Sequence, residues 1–148
     1  VALGNDGPPC NNTLDAFTEM RQASLLGKVD RLDPTATPAS DIFEMATING
    51  ARAAGFDELG AIREGWRADI VGLSTDLTRA TPLHDVLSHL VFAAHGDDVR
   101  FTMVDGTVLQ EGGEVTAIDA GAVRREASEV GLGMDLEEAR RSARRHKP

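Results

Sequence analysis

The chain opens on Val1-Ala2-Leu3-Gly4-Asn5-Asp6-Gly7-Pro8-Pro9, a short apolar run that ends in a carboxylate and is closed by glycine and two prolines. An apolar run bounded by turn residues fits a fully buried parallel strand. Gly7-Pro8-Pro9 forbids that strand from continuing. In parallel α/β proteins, chemistry gathers where strands end and loops begin. Asp6 stands at such a place, although an aspartate before glycine is also ordinary turn chemistry. No later segment reads as a parallel neighbour, and a buried strand with bare edges carries costly unpaired amides and carbonyls. The expectation is that its partners precede Val1 in a longer polypeptide.

Composition narrows the partners. With 148 residues, 41% of them apolar, the chain can build one ordinary domain with a core. A net charge of −9 argues against nucleic acid, because phosphate binding needs a cationic surface. No run reaches the roughly 18 apolar residues of a membrane span. The lone Cys10 excludes an intramolecular disulfide and fits a reducing interior. With no leader pattern at the start, the cytoplasm is the expected location. Lys28 and Lys147 are the only lysines. An acidic, lysine-poor surface stays dispersed in strong salt, a pattern open to two origins, a salt-adapted source or a GC-rich genome.

Along the chain, Asn11-Asn12-Thr13 offers N-cap chemistry for a helix over residues 14–26, with Gly27 as its stop. Residues 29–37 read as a loop. A second helix opens at Thr37-Pro38, with Pro38 in the first helical position, and fades near Gly55. Thr47-Ile48-Asn49-Gly50 either interrupts that helix or marks tight backbone packing. Residues 59–73 read as two short strands around Glu64-Gly65. Residues 86–94 predict a short helix. Two β-rich runs flank Asp105-Gly106, the signature of a type I′ hairpin. Residues 114–118 offer one more strand. Asp119 caps a helix over residues 122–129, and Asp135 caps another that reaches the basic tail.

Five stretches, taken in order, carry a resemblance. They are Leu3-Gly4-Asn5-Asp6-Gly7 with Asn11-Asn12, then Phe17-Thr18-Glu19-Met20-Arg21, then Met45-Ala46-Thr47-Ile48-Asn49-Gly50-Ala51. The fourth runs from Leu59-Gly60 to Gly65 and on to Ala68-Asp69-Ile70-Val71, and the last is Val104-Asp105-Gly106-Thr107-Val108. Together they resemble the C-terminal third of metal-dependent amidohydrolases, in the chlorohydrolase and aminohydrolase branch that includes the methylthioadenosine/S-adenosylhomocysteine deaminases. The resemblance implies an α/β fold: residues 1–56 as the end of a (β/α)8 TIM barrel, residues 57–118 as part of a small composite β-sandwich, and residues 119–148 as a helical tail. It implies Asp6 as both metal ligand and catalytic acid–base group, and one divalent metal, zinc or iron. It also implies a small-molecule substrate, hydrolytic release of ammonia or chloride from a nitrogen heterocycle, and a homo-oligomer in the full-length enzyme. The chemistry is coherent, since a metal lowers the pKa of bound water from about 16 to near 7 and an adjacent carboxylate can shuttle the proton. The family's other ligands do not match any position in this chain. Cys10 stands where relatives have small residues such as serine.

The remaining residues have plainer readings. His84, His89 and His95, spaced by five and six, share neither a helical nor a strand face and read as structural or surface groups. Cys10 has no histidine near it in sequence and reads as a buried small residue rather than a nucleophile. Asn11 and Asn12 read as caps first and substrate contacts second, Glu19 as a solvated helix residue first and a brace for the loop second, Trp66 as partly buried, and Asp69 as ending a turn or pairing locally. The competing functional reading is a non-catalytic α+β interaction module derived from the same family.

Overall fold

The computed structural model describes residues 1–133, with side chains to residue 130. They fall into two compact units, Val1–Glu114 and a second that begins at Val115. The helix expected from Asp135 and the basic tail lie outside the described residues. No helix among the described residues is long and apolar enough to cross a membrane.

Helix α1 (Ala16–Arg31) starts later and ends later than its sequence implies. Leu14 sits in the left-handed region at φ 48°, so Asn11-Asn12-Thr13 cannot lead directly into a helix. Asp15 is the cap instead: its carboxylate accepts the Phe17 N–H at 3.0 Å and the Thr18 hydroxyl at 3.1 Å. Gly27 does not stop the helix. A Cβ there would fall 2.7 Å from Thr37 Cγ2, so glycine is needed because the following loop packs down onto α1. That contact buries Ser24, whose hydroxyl donates to the Thr37 carbonyl at 2.8 Å and whose carbonyl accepts from the Thr37 hydroxyl at 3.0 Å.

Helix α2 (Ala39–Ala46) follows with Pro38 as its N-cap rather than its first residue, so it begins one residue later than expected. The break at Thr47 is real, with φ −120° and ψ −98°, and α3 (Ile48–Ala53) continues beyond it. Of the two readings of residues 47–50, interruption is the one observed. Helix α4 (Val86–Phe92) is capped by Asp85, which accepts the Ser88 N–H at 2.6 Å. Helices α1, α2 and α4 meet at Met20, Ile42 and Val91, the buried centre of the first unit, with Phe17, Phe43 and Phe92 packed around it. Burying each such side chain contributes about 1.5–3 kcal/mol, which gathers three short helices that would not persist alone.

Val1–Gly4 forms no strand. A strand exists only as part of a ladder, and no described segment runs beside this one. Among the described residues its one backbone bond is from the Leu3 N–H to the Met45 carbonyl at 3.2 Å, one of the acceptors that the C-terminus of α2 leaves free. Leu3 thereby packs onto the helical core, while Val1 remains 95% exposed.

The sheet has the order β1-β2-β3-β4, comprising Ile70–Leu73, Val99–Val104, Thr107–Glu111 and the two-residue Glu114–Val115. Strand β1 pairs antiparallel with β2, aligning Ile70 with Met103 and Leu73 with Val99, and β2 pairs antiparallel with β3. The β2–β3 turn is the expected hairpin: Asp105 and Gly106 both take positive φ, 49° and 78°, as a type I′ turn requires. Only one of the two strands expected over residues 59–73 forms. Gly60 and Gly65 turn the preceding backbone to φ 89° and 81°; the Arg67 N–H bonds back to the Glu58 carbonyl at 3.0 Å, and only at Ala68, whose carbonyl accepts the Gly106 N–H at 3.1 Å, does the segment reach the hairpin. Gly60 also lies against α3, where a Cβ would come 2.7 Å from Ile48 Cα. In the second unit, α5 (Ala120–Gly133) begins behind Asp119, whose carboxylate accepts the Ala122 N–H at 2.8 Å.

Candidate active site at the Asp6 turn

Asp6 ends the opening segment in a left-handed conformation, φ 57°. Aspartate tolerates this region better than most residues because its short carboxylate can bond locally. Its Oδ1 accepts the Gly7 N–H at 2.7 Å. Its Oδ2 has no hydrogen bond among the described residues, and the side chain is exposed. The chain then closes on itself: the Gly7 carbonyl accepts from Cys10 N–H at 2.9 Å and Asn11 N–H at 3.0 Å. Asn11 is the hub that links this turn to α1. Its Oδ1 accepts from the Thr13 N–H (3.2 Å) and the Thr13 hydroxyl (2.9 Å), and its Nδ2 donates to Glu19 Oε1 on α1.

These contacts and the exposures beside them decide several readings of the sequence. Of the two readings of Glu19, the brace is the one observed: it is half-buried and accepts from Asn11 Nδ2. Cys10 is exposed rather than buried. Asp69 does not pair locally as expected: its carboxylate accepts the Asp105 N–H, in the β2–β3 hairpin turn, at 2.7 Å. Trp66 is half-buried, with the Arg63 guanidinium 4.7 Å from its ring centre.

The histidines do not converge. His84 and His95 are exposed, and among the described residues no three His, Cys, Asp or Glu side chains come together as a metal site. Asp6 therefore fits a metal only as a single carboxylate ligand. Two cavities lie elsewhere. An apolar groove of about 810 Å³ runs along Phe17, Phe43, Phe56, Ile70 and Leu73. Its one carboxylate, Asp69, is already bonded to the hairpin, so the groove has no convergent polar groups for chemistry. A more polar hollow of about 620 Å³ adjoins Asp15, Arg79, His95 and Asp97.

Beside that hollow is an ion pair that the sequence alone did not reveal. Asp98 is 2% exposed and accepts from Arg79 through both Nε (3.1 Å) and Nη2, and from the His95 N–H at 2.9 Å. Burial pushes its carboxyl up, but the Arg79 and His95 hydrogen bonds and the neighbouring positive charge outweigh this and hold it below its ordinary value. Residues 79 and 98 are far apart in sequence and follow no motif. Only an unusually placed pair of opposite charges could have hinted at the contact.

Comparison with known proteins places these features in a lineage. The sequence profile of the amidohydrolase family matches residues 1–109. The chain is 46% identical over 129 residues to the 5-methylthioadenosine/S-adenosylhomocysteine deaminase of Haloarcula marismortui, covering 87% of this chain and 30% of that enzyme. It is 44% identical over 130 residues to the 5'-deoxyadenosine deaminase of Methanosarcina barkeri, covering 88% and 30%. Among solved structures, an adenosine deaminase from Xanthomonas campestris with bound zinc superposes with a TM-score of 0.84 at 36% identity, over 86% of this chain and 29% of that one. The chain thus spans about 30% of the length of the curated relatives it matches. By its sequence profile and its fold, the chain belongs to the amidohydrolase family.

Proposed function

We propose that this chain is the C-terminal part of a cytoplasmic, homo-oligomeric aminohydrolase that releases ammonia from an adenosine derivative. In this reading residues 1–56 complete a (β/α)8 barrel, residues 57–118 contribute to a composite β-sandwich, and residues 119–148 form a helical tail. The observation that carries it is Asp6: a carboxylate with one oxygen fixed by its own turn and the other free, in a chain 46% identical to a deaminase of adenosine derivatives.

Deamination by water replaces a C–N bond with a C–O bond and expels the amine as ammonia. Asp6 Oδ2 takes the proton that the attacking water loses and returns it to the departing nitrogen. The Gly7 N–H, bonded to Oδ1, holds the carboxylate plane still while Oδ2 is protonated and deprotonated. Asp6 would also hold one divalent metal, zinc or iron, with ligands from outside the described residues. When bound, that metal supplies the Lewis acidity that makes water a nucleophile at neutral pH.

The test is Asp6→Asn in the full-length protein, assayed for ammonia release from methylthioadenosine, S-adenosylhomocysteine and 5'-deoxyadenosine. Asparagine preserves shape but cannot accept the proton, and loss of an acid–base group costs about 10²–10⁴ in rate. Retention of more than about a tenth of wild-type turnover would refute the role of Asp6. The 148-residue chain alone is expected to be inactive at any metal concentration, because a single carboxylate cannot supply the four ligands a metal site typically needs.

A further inference from the structure

On its C-terminal side, the turn that carries Asp6 is tied to helix α1 by one side-chain pair. Among the described residues, the Asn11 Nδ2 bond to Glu19 Oε1 is the only hydrogen bond that joins residues 6–12 to a helix. Every link on the way is in place. Asp6 Oδ1 holds the Gly7 N–H, the Gly7 carbonyl holds the Asn11 N–H, and the Asn11 side chain reaches the first turns of α1. On the other flank the tie is through the backbone, the Leu3 N–H to the Met45 carbonyl at 3.2 Å, while Asn5 Nδ2 is buried without an acceptor among the described residues. A non-glycine residue with positive φ persists only where its surroundings over-determine it. At Asp6 the local bond to Gly7 and the Leu3 anchor contribute to that constraint, and Asn11 supplies it from the C-terminal side.

We propose that Asn11 and Glu19 are positioning residues that clamp the turn to α1 and so set where the Asp6 carboxylate points. The proposal rests on the reading of Asp6 as the acid–base group. The chemistry of the pair suits a clamp. A carboxylate acceptor strengthens an amide donor's hydrogen bond, and both side chains are half-buried, which limits competition from water. Asn11 is also satisfied at its other end by Thr13, so the amide cannot rotate without giving up bonds at both ends. Neither residue touches the reacting atoms in this account; each acts through the backbone of residues 7–11.

A reversal of the pair tests this in the full-length protein. Asn11→Asp alone sets two carboxylates against each other and should open the clamp. Glu19→Gln alone retains an acceptor oxygen and should change little. Combined, the two substitutions restore the bond with its direction reversed, because the amide introduced at 19 donates to the carboxylate introduced at 11. Two measurements are needed: amide hydrogen exchange over residues 7–14, which requires no activity, and kcat and KM for ammonia release. Asn11→Asp is expected to speed exchange at least about tenfold and lower kcat about 10–100-fold with KM little changed, as loss of a supporting contact behind a site residue does. The double variant should recover both. Unchanged exchange in Asn11→Asp overturns the clamp. Faster exchange with wild-type kcat overturns the positioning role, as does a loss of kcat that the double variant fails to restore. Failure of the underlying reading is recognised separately, by an Asp6→Asn enzyme that stays active.

Discussion

Removing the Asp98 carboxylate should destabilise the first unit by about 3 kcal/mol. Breaking a buried ion pair by deleting one partner costs about 3–5 kcal/mol, because the other charge is left uncompensated. Here the stranded partner is Arg79, whose side chain keeps 41% of its surface in water, while that of Asp98 keeps 1%. The guanidinium can rehydrate, so the lower end of the range, about 3 kcal/mol, applies to Asp98→Ala. Asp98→Asn should cost less, because the amide oxygen still accepts the His95 N–H that Asp98 holds at 2.9 Å. Urea unfolding of the protein in high salt measures both variants, and native-state exchange at the His95 amide locates the effect. The pH dependence provides an independent check. The folded pKa of Asp98 is depressed, so its contribution is fully present above the unfolded value, about 3.9. It is lost as pH falls below that and through the folded pKa. The wild-type advantage over Asp98→Asn should therefore hold at pH 7 and shrink below pH of about 4. A loss under about 1 kcal/mol for Asp98→Ala, or an advantage that grows in acid, would refute this account of the pair.

Two glycine substitutions should separate backbone strain from steric collision. Gly106→Ala meets only open space and should cost about 1 kcal/mol from its positive φ, whereas Gly60→Ala adds a Cβ 2.7 Å from Ile48 Cα and should cost at least twice that, as measured by chemical denaturation; equal costs would refute the close approach. Leu25, Leu26, Val29 and Leu32 are 47%, 65%, 69% and 90% exposed on and just after α1, and apolar patches beyond a few hundred Å² favour association. The 148-residue chain alone should therefore self-associate in low salt by light scattering; a monodisperse monomer with a sharp two-state melt would instead favour the interaction-module reading.

What the sequence by itself determined are features whose cause lies within a few residues. Asp105-Gly106 specifies the hairpin because both residues tolerate the positive φ that the turn demands. Asp119 caps α5 by reaching an amide three residues on. Asp6 was legible as the candidate site from the run that ends in it and from the resemblance that run carries. Tertiary structure decided the rest, because the deciding partner was distant and the local signal allowed more than one outcome. Gly27 looks like a helix stop until Thr37 packs against it. Glu19 reads as a solvated residue or as a brace until the turn brings Asn11 within reach. Arg79 and Asp98 become a pair only when the segment between β1 and β2 folds back onto the start of β2. Val1–Gly4 has the composition of a strand but no ladder to join among the described residues. Local torsional preference is written residue by residue, whereas hydrogen-bond partners and close packing depend on which distant segments arrive, and only the assembled fold specifies that.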